Sequence, residues 1–388
     1  MIKLIKSSFY NEELTKEALC KFISNAEYLS MDEQCRSFET EFSAWQEREF
    51  SVLFNSGSSA NLALIQALLN IGSLKKGDNC GFSGITWATN VMPLIQLGLN
   101  AIPIDISMRT LNISLEEVQK IHENSNLKCL FVTNLLGFSD DLEAIRNYCD
   151  IHNILLLEDN CESLGSVLGG VKLGNFSTAS TFSFFVGHHM STIEGGMVCT
   201  DDVDIYEELL KVRSHGWDRH LNETATKKIR TKYNITDFYA KYTFYDLAYN
   251  LRPTEITGFL GRFQLKYLDE MIKIRQENFN RLKKLYENSD FVTIDVSHME
   301  TVSNFAIPIV CKSSRLHKEM IRRAEKGGVE VRPIVGGVMS DQPFFAKYYE
   351  SKYELPNSRF ANENGFYFGN NPELTDKEIE TLVGVFQP

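Results

Sequence analysis

Between residues 50 and 200, short apolar runs alternate with segments whose apolar side chains recur at helical spacing. Residues 50–54, 79–83, 101–105, 129–133 and 154–157 are runs of strand length, whereas 61–69, 115–121 and 142–148 carry the period of an amphipathic helix. That alternation is the rhythm of βαβ units, and it predicts an α/β protein with a largely parallel sheet covered by helices. Beyond residue 200 the pattern changes to a helix-like segment at 203–213, a polar one at 222–233 with four basic residues, and a long amphipathic stretch from about 255 to 287. Strand-like 305–310 and helical 314–326 then restore a mixed pattern. No repeat or low-complexity linker interrupts the chain, so the change of pattern alone predicts a larger unit of residues 1–250 and a smaller one of 251–388.

With 388 residues, 43% of them hydrophobic, the chain is long enough for a full core and for two domains. Its formal net charge of −11 leaves no basic surplus to neutralise a phosphate backbone, which excludes nucleic acid as an expected partner but not a locally held nucleotide. The opening residues turn polar before a signal-like run develops, and nowhere do about 18 apolar residues follow one another, so a soluble, cytoplasmic protein with no membrane partner is expected. Eight cysteines (Cys20, Cys35, Cys80, Cys129, Cys149, Cys161, Cys199 and Cys311) are scattered, several in apolar runs where a reduced thiol packs as a small hydrophobe. None stands at C-x-x-C or C-x-C spacing, so no disulfide framework, zinc ribbon or other metal site is predicted.

Asp159 follows Glu158 at the end of the apolar run 154–157, a buried strand emptying into a cleft, where open α/β sheets carry their ligands. A carboxylate there either caps the next turn or, in a pyridoxal site, faces the ring nitrogen. Residues 55–61 join the run 50–54 to a helical pattern, and Gly57 and Ser58 expose backbone N–H groups at its start, as in a phosphate cradle or an ordinary capped helix. A third segment carries Ser183, His188, His189 and the pair Gly195 and Gly196.

In this order the motifs resemble the fold type I sugar aminotransferase and dehydratase family, enzymes of nucleotide-linked 4-keto sugars, over nearly the whole chain. The resemblance implies an aspartate-aminotransferase-like fold, with a mostly parallel seven-stranded sheet in a large cofactor-binding domain and a smaller C-terminal α/β domain. It implies pyridoxal 5′-phosphate, or its pyridoxamine form, as cofactor. Gly57, Ser58 and Ser183 would hold the phosphate, Trp87 would stack over the ring, and Asp159 would meet the ring nitrogen. Glu162 would lie beside the phenolic oxygen or the substrate, or else start a helix.

The family pattern S-F-x-x-x-K places its Schiff-base lysine five residues after the serine; here that position is His188, and no lysine occurs between Lys172 and Lys211. Imidazole is no primary amine and cannot form that bond, but it moves protons near neutral pH. The departure points to the smaller branch of 3-dehydratases, with His188 as base and His189 as its rival. One kind of member acts on a CDP-linked hexose with an iron–sulfur cluster. The other acts on GDP-4-keto-6-deoxymannose without metal, takes its amino group from glutamate, releases ammonia, and serves dideoxysugar biosynthesis of the O-antigen type. The scattered cysteines favour the second. An aminotransferase whose lysine was changed to histidine, and a family member that only binds a nucleotide sugar, stand as alternatives.

Residues 249–255 resemble the family's Y-N-x-R-M-x-E segment, with Pro253 in place of the methionine. This implies a homodimer in which Asn250 reaches the partner's cofactor phosphate and the active sites lie at the subunit interface. His215 and Arg219 resemble residues facing the neighbouring sugar site, although Arg219 would also pair with Asp218 or another surface carboxylate. Arg332 opens an R-P turn that recurs near the nucleotide. Lys211, Arg213 and the basic run 227–232 read either as attraction for an anionic substrate or as a solvated face.

Overall fold

The computed structural model describes residues 1–350 and 352–387. Strands β1 (Phe50–Phe54), β2 (Asn79–Ser83), β3 (Asn100–Ile104), β4 (Cys129–Thr133), β5 (Leu155–Asp159), β6 (Ala179–Ser183) and β7 (Gly196–Thr200) form one sheet in the order β1-β7-β6-β5-β4-β2-β3. β7 runs antiparallel to β1 and β6, and the other neighbours are parallel. Helices cover the sheet, so β4, β6 and β7 are buried along their whole length, which is why such runs read as continuously apolar or small instead of alternating.

A second, antiparallel sheet of β8 (Ala306–Val310), β9 (Val331–Pro333) and β10 (Gly365–Gly369), in the order β8-β10-β9, carries the C-terminal part of the chain. Helices Ser314–Gly327 and Asp376–Phe386 pack on it, and Phe386 stacks against Phe368 at 5.0 Å. The polar segment at 222–233 is the helix Glu223–Tyr233, begun by Asn222, whose side chain accepts from the Ala225 N–H.

Two features depart from the pattern of the sequence. Helices Glu12–Asn25 and Glu33–Gln46 precede β1, where the hydrophobic pattern gave no prediction. The amphipathic stretch 255–287 is broken: helix Glu255–Leu265 ends, the chain turns at Lys266 and Tyr267, and helix Leu268–Leu282 continues into a 3-10 turn. The two halves serve different partners. Helix Glu255–Leu265 lies so close on Glu33–Gln46 that a Cβ at Gly258 would come within 2.4 Å of the Cys35 nitrogen. The Glu255 carboxylate caps that neighbour by accepting from the N–H groups of Asp32, Gln34 and Cys35. Leu268–Leu282 instead sends Phe279 and Leu282 into the core shared with the C-terminal sheet. Among the described residues no helix is long and apolar enough to cross a membrane.

Candidate active site

β4, β5 and β6 end on Thr133, Asp159 and Ser183, and all three side chains border one cavity of about 460 Å³. Its position beyond the carboxyl ends of parallel strands is the one that open α/β sheets favour for ligands. Of the residues predicted from sequence, Gly57, Ser58, Trp87, Asp159, Glu162, Ser183, His188 and Arg332 line it.

Asp159 is buried, and its carboxylate is held by neutral groups. Oδ2 accepts from the side-chain amides of Asn61 at 2.9 Å and Asn90 at 2.7 Å, and Oδ1 from the Cys161 N–H at 2.9 Å. Thr86 donates to Asn90 at 2.9 Å and lies 2.6 Å from the Thr133 hydroxyl, so the amide that orients Asp159 is itself oriented. Glu158, one residue earlier, points to the opposite face. There it accepts from Asn134, Gly174 and Phe176, which makes it a structural group.

The helix Gly57–Asn70 starts against the end of β6. Ser56 caps it by accepting from the Ser59 N–H at 3.1 Å, and a Cβ on Gly57 would meet the Ser183 Cβ at 2.7 Å. The close fit brings the helix N-terminus and the Ser183 hydroxyl to the same wall, with the positive end of the helix dipole toward the cavity. Trp87 follows β2 and leaves 55% of its surface exposed, unusual for a tryptophan in a cavity wall that nothing else covers.

His188 lies in the loop between β6 and β7, edge-on to Phe185 and Phe305 at ring separations of 5.8 and 5.7 Å. Burial pushes its imidazolium down to about 4, the Asp159 carboxylate opposing and Arg275 adding to the effect. His189 turns away from the cavity and places Nε2 2.9 Å from the Ser303 carbonyl, so of the two histidines it is His188 that borders the cavity.

Glu162 sits in a turn, not at a helix start. Its Oε2 accepts from the Leu136 N–H at 2.7 Å, and burial pushes its carboxyl up to about 8, leaving a neutral acid in the wall at pH 7. Tyr367 lines the same wall, its phenol raised to about 12 by burial and by Glu162. Arg332 stands at the margin, bonded to Glu330 at 2.8 Å; the other Glu330 oxygen accepts from the Leu4 N–H.

Asn250, His215 and Arg219 lie outside this cavity and near one another. Asn250 accepts from Arg252 at 3.0 Å and bridges Ser214 through the backbone, while the His215 ring lies 4.8 Å from that of Trp217. Arg219 stacks on Trp217 at 3.7 Å and donates to the Lys241 carbonyl. The pairing of Arg219 with Asp218 is overturned, because Asp218 is taken by Arg230 at 2.6 Å and by the Tyr245 hydroxyl. Lys211 and Arg213 are likewise not a lure for anions: both are buried, Lys211 on Glu208 and Asp246, Arg213 on Glu39.

Asn90, Phe305, Tyr367 and Arg275 were missed from sequence. Asn90 had a signal, as the last polar residue of the run that holds Trp87; the others come from distant segments with no local mark.

Among the described residues, no group of His, Cys, Asp and Glu is placed to hold a metal ion, and no lysine lines the cavity. A pyridoxal cofactor fits what is present. A buried carboxylate with only neutral partners matches a protonated ring nitrogen, a helix start beside a serine matches a phosphate, and an uncovered indole matches an aromatic ring.

Comparison with known proteins agrees with this geometry. The model of the DegT/DnrJ/EryC1/StrS aminotransferase family matches residues 11–387. The chain is similar to the GDP-4-keto-6-deoxy-D-mannose 3-dehydratase of Yersinia pseudotuberculosis, at 32% identity over 94% of this chain and 93% of that protein. It is equally similar to the enzyme of that name from Escherichia coli O55:H7, at 32% identity over 94% and 95%. A crystal structure of GDP-4-keto-6-deoxymannose-3-dehydratase with a trapped PLP-glutamate geminal diamine superposes with a TM-score of 0.90, at 30% identity over 100% of both chains.

Proposed function

The chain belongs to the DegT/DnrJ/EryC1/StrS aminotransferase family, and from that premise we propose that it is a pyridoxal-phosphate-dependent 3-dehydratase acting on GDP-4-keto-6-deoxymannose. Glutamate is the amino donor, and the products are GDP-4-keto-3,6-dideoxymannose, 2-oxoglutarate and ammonia, a step in dideoxysugar formation. The observation that carries this reading is the imidazole of His188 on a cavity that no lysine lines among the described residues. Substrate and donor are supported by the names of the two relatives and by the glutamate trapped in the similar structure.

Bound here, the cofactor would supply an amine for the substrate's 4-keto group and a ring able to hold the electron pair left by proton removal and to release it as the 3-hydroxyl leaves. Asp159 holds the ring nitrogen in its protonated form. The N–H groups at Gly57 and Ser58, with the Ser183 hydroxyl, bind the phosphate, and Trp87 covers the ring. His188 is neutral at working pH, accepts a proton on its imidazole, and has no amine with which to tether the cofactor. Glu162, neutral at pH 7, offers a proton from Oε1, the oxygen not engaged by Leu136. Asn250, His215 and Arg219 complete the neighbouring subunit's site in a homodimer, and Arg332 faces the nucleotide. The absence of any disulfide among the eight free cysteines supports a cytoplasmic setting.

The test is incubation of the protein with pyridoxal phosphate, glutamate and GDP-4-keto-6-deoxymannose, measuring ammonia, 2-oxoglutarate and the sugar product. Ammonia and 2-oxoglutarate in equal amounts with a 3-deoxy sugar are expected. A stable aminosugar, or turnover only of a CDP-linked sugar with a reductase, overturns the assignment.

A further inference from the structure

Behind His188 lies a buried arginine that has no carboxylate partner among the described residues. Arg275, on helix Leu268–Leu282, is 3% exposed. Its guanidinium donates to the carbonyl oxygens of Asn370, of Asn304 at 3.5 Å and of His188 at 3.3 Å, while Nε has no partner among the described residues. Three neutral dipoles thus stand where a buried cation ordinarily has an anion.

The acceptors are themselves locked. The Asn370 amide donates to the carbonyl of Arg275 at 3.0 Å, to that of Asn304 at 3.1 Å and to the Asn304 side chain at 2.8 Å. Ser303, the next residue back, receives His189. The His188–His189 turn is therefore pinned twice, by Arg275 on a carbonyl and by Ser303 on a ring.

The charge matters as well as the tether. Titratable groups line the two cavities that His188 borders: Asp159 from β5, Cys161 and Glu162 from the following turn, His189 and Glu194 from its own loop, Arg332 and Tyr367 from the C-terminal sheet, and Tyr10 and Glu373 beside Arg275. Of the acids among them, the Asp159 carboxylate favours an imidazolium. Arg332 is spent on Glu330, so among the groups named Arg275 is the cation left to oppose it.

We propose that Arg275 is the positioning residue of this site: its unneutralised guanidinium fixes the turn that carries His188 and adds to burial in favouring the proton-accepting imidazole. The proposal rests on the reading of His188 as the base, and it concerns a residue that does not line the cofactor cavity.

It is tested by histidine NMR titration of the full chain, with and without pyridoxal phosphate, the His188 resonance being assigned by its loss in His188→Asn. Arg275→Gln and Arg275→Met are expected to raise the His188 midpoint by about one pH unit, and to move the acid limb of turnover up by the same amount. Arg275→Lys keeps the charge and is expected to leave the midpoint in place. A folded Gln or Met variant with an unmoved midpoint overturns the proposal. Should neither neutral variant fold, Asn304→Asp decides, because it puts a carboxylate on a residue whose carbonyl the guanidinium already meets: a raised midpoint supports the proposal, and an unmoved one overturns it. Because the titration needs no sugar, it stays readable even if the proposed substrate proves wrong.

Discussion

Glu158 and Asp159 are neighbours of the same charge with opposite employment, because side chains alternate across a strand. A strand ending in two acids was legible in the sequence, and so was a cleft at its end; that the two face opposite ways follows from the alternation, and the structure gives the cleft to Asp159. Asn61 and Asn90 were less legible, since two amides 29 residues apart converge on Asp159 Oδ2 only once β5, β2 and the helix start are in place. Asp159→Asn should leave the fold intact, and in equilibrium dialysis it should bind pyridoxal phosphate roughly 10- to 100-fold more weakly, the loss of one charge-assisted hydrogen bond. Glu162 makes a prediction about pH. Its carboxyl is raised in the folded protein from the ordinary 4.5 to about 8, so between those values the folded state holds a proton that the unfolded state has lost. Stability must fall as pH rises through that window. Glu162→Gln has no such proton, and urea unfolding at pH 5 and pH 8 should show the variant gaining on the wild type as pH rises. Parallel pH profiles would count against a buried neutral acid.

At the scale of elements, the alternating strands and helices from 50 to 157 were legible because burial on both faces leaves long apolar runs, whereas β6 and β7, rich in serine, threonine and glycine, were not among the runs read as strands. The turn at Lys266 and Tyr267 was not, because both helices around it are amphipathic and only their different partners demand a break. The junction of helix Gly57–Asn70 with β6 was half legible: a glycine at a helix start is visible, whereas the serine it touches is set by the fold. A methyl group added at Gly57 meets Ser183 Cβ at 2.7 Å, closer than real Cβ atoms approach, so helix and strand must part. Gly57→Ala should therefore cost about 1–3 kcal/mol of stability in denaturant unfolding, and should weaken phosphate and pyridoxal phosphate binding together. An alanine variant with wild-type cofactor affinity would mean that this wall does not hold the phosphate.

Over the whole molecule, the first residues of the chain meet its C-terminal sheet beside the site. Ile2 pairs with Val329, Leu4 packs on Gly369, and Leu4 and Ile5 line the cavity, contacts that no periodicity along the sequence can reveal. The same scale explains Asn250, which a resemblance places on a cofactor phosphate and the single chain leaves outside the cavity. Around it Phe238, Tyr239, Tyr242, Phe244 and Leu247 are exposed, an apolar patch of the kind that a partner subunit covers. If the patch joins two copies, each site takes His188 from one subunit and Asn250 from the other. His188→Asn and Asn250→Ala homodimers should then both be inactive, yet exchange of their subunits should restore activity. A mixed dimer holds one site with both residues intact and one with neither, and random exchange makes half the dimers mixed, so recovery should approach about a quarter of wild type. Were both residues to act within one subunit, every site in the mixture would lack one of them. Mixing would then restore nothing, and that result, with exchange verified by mass-tagged subunits, would remove Asn250 from the partner's site.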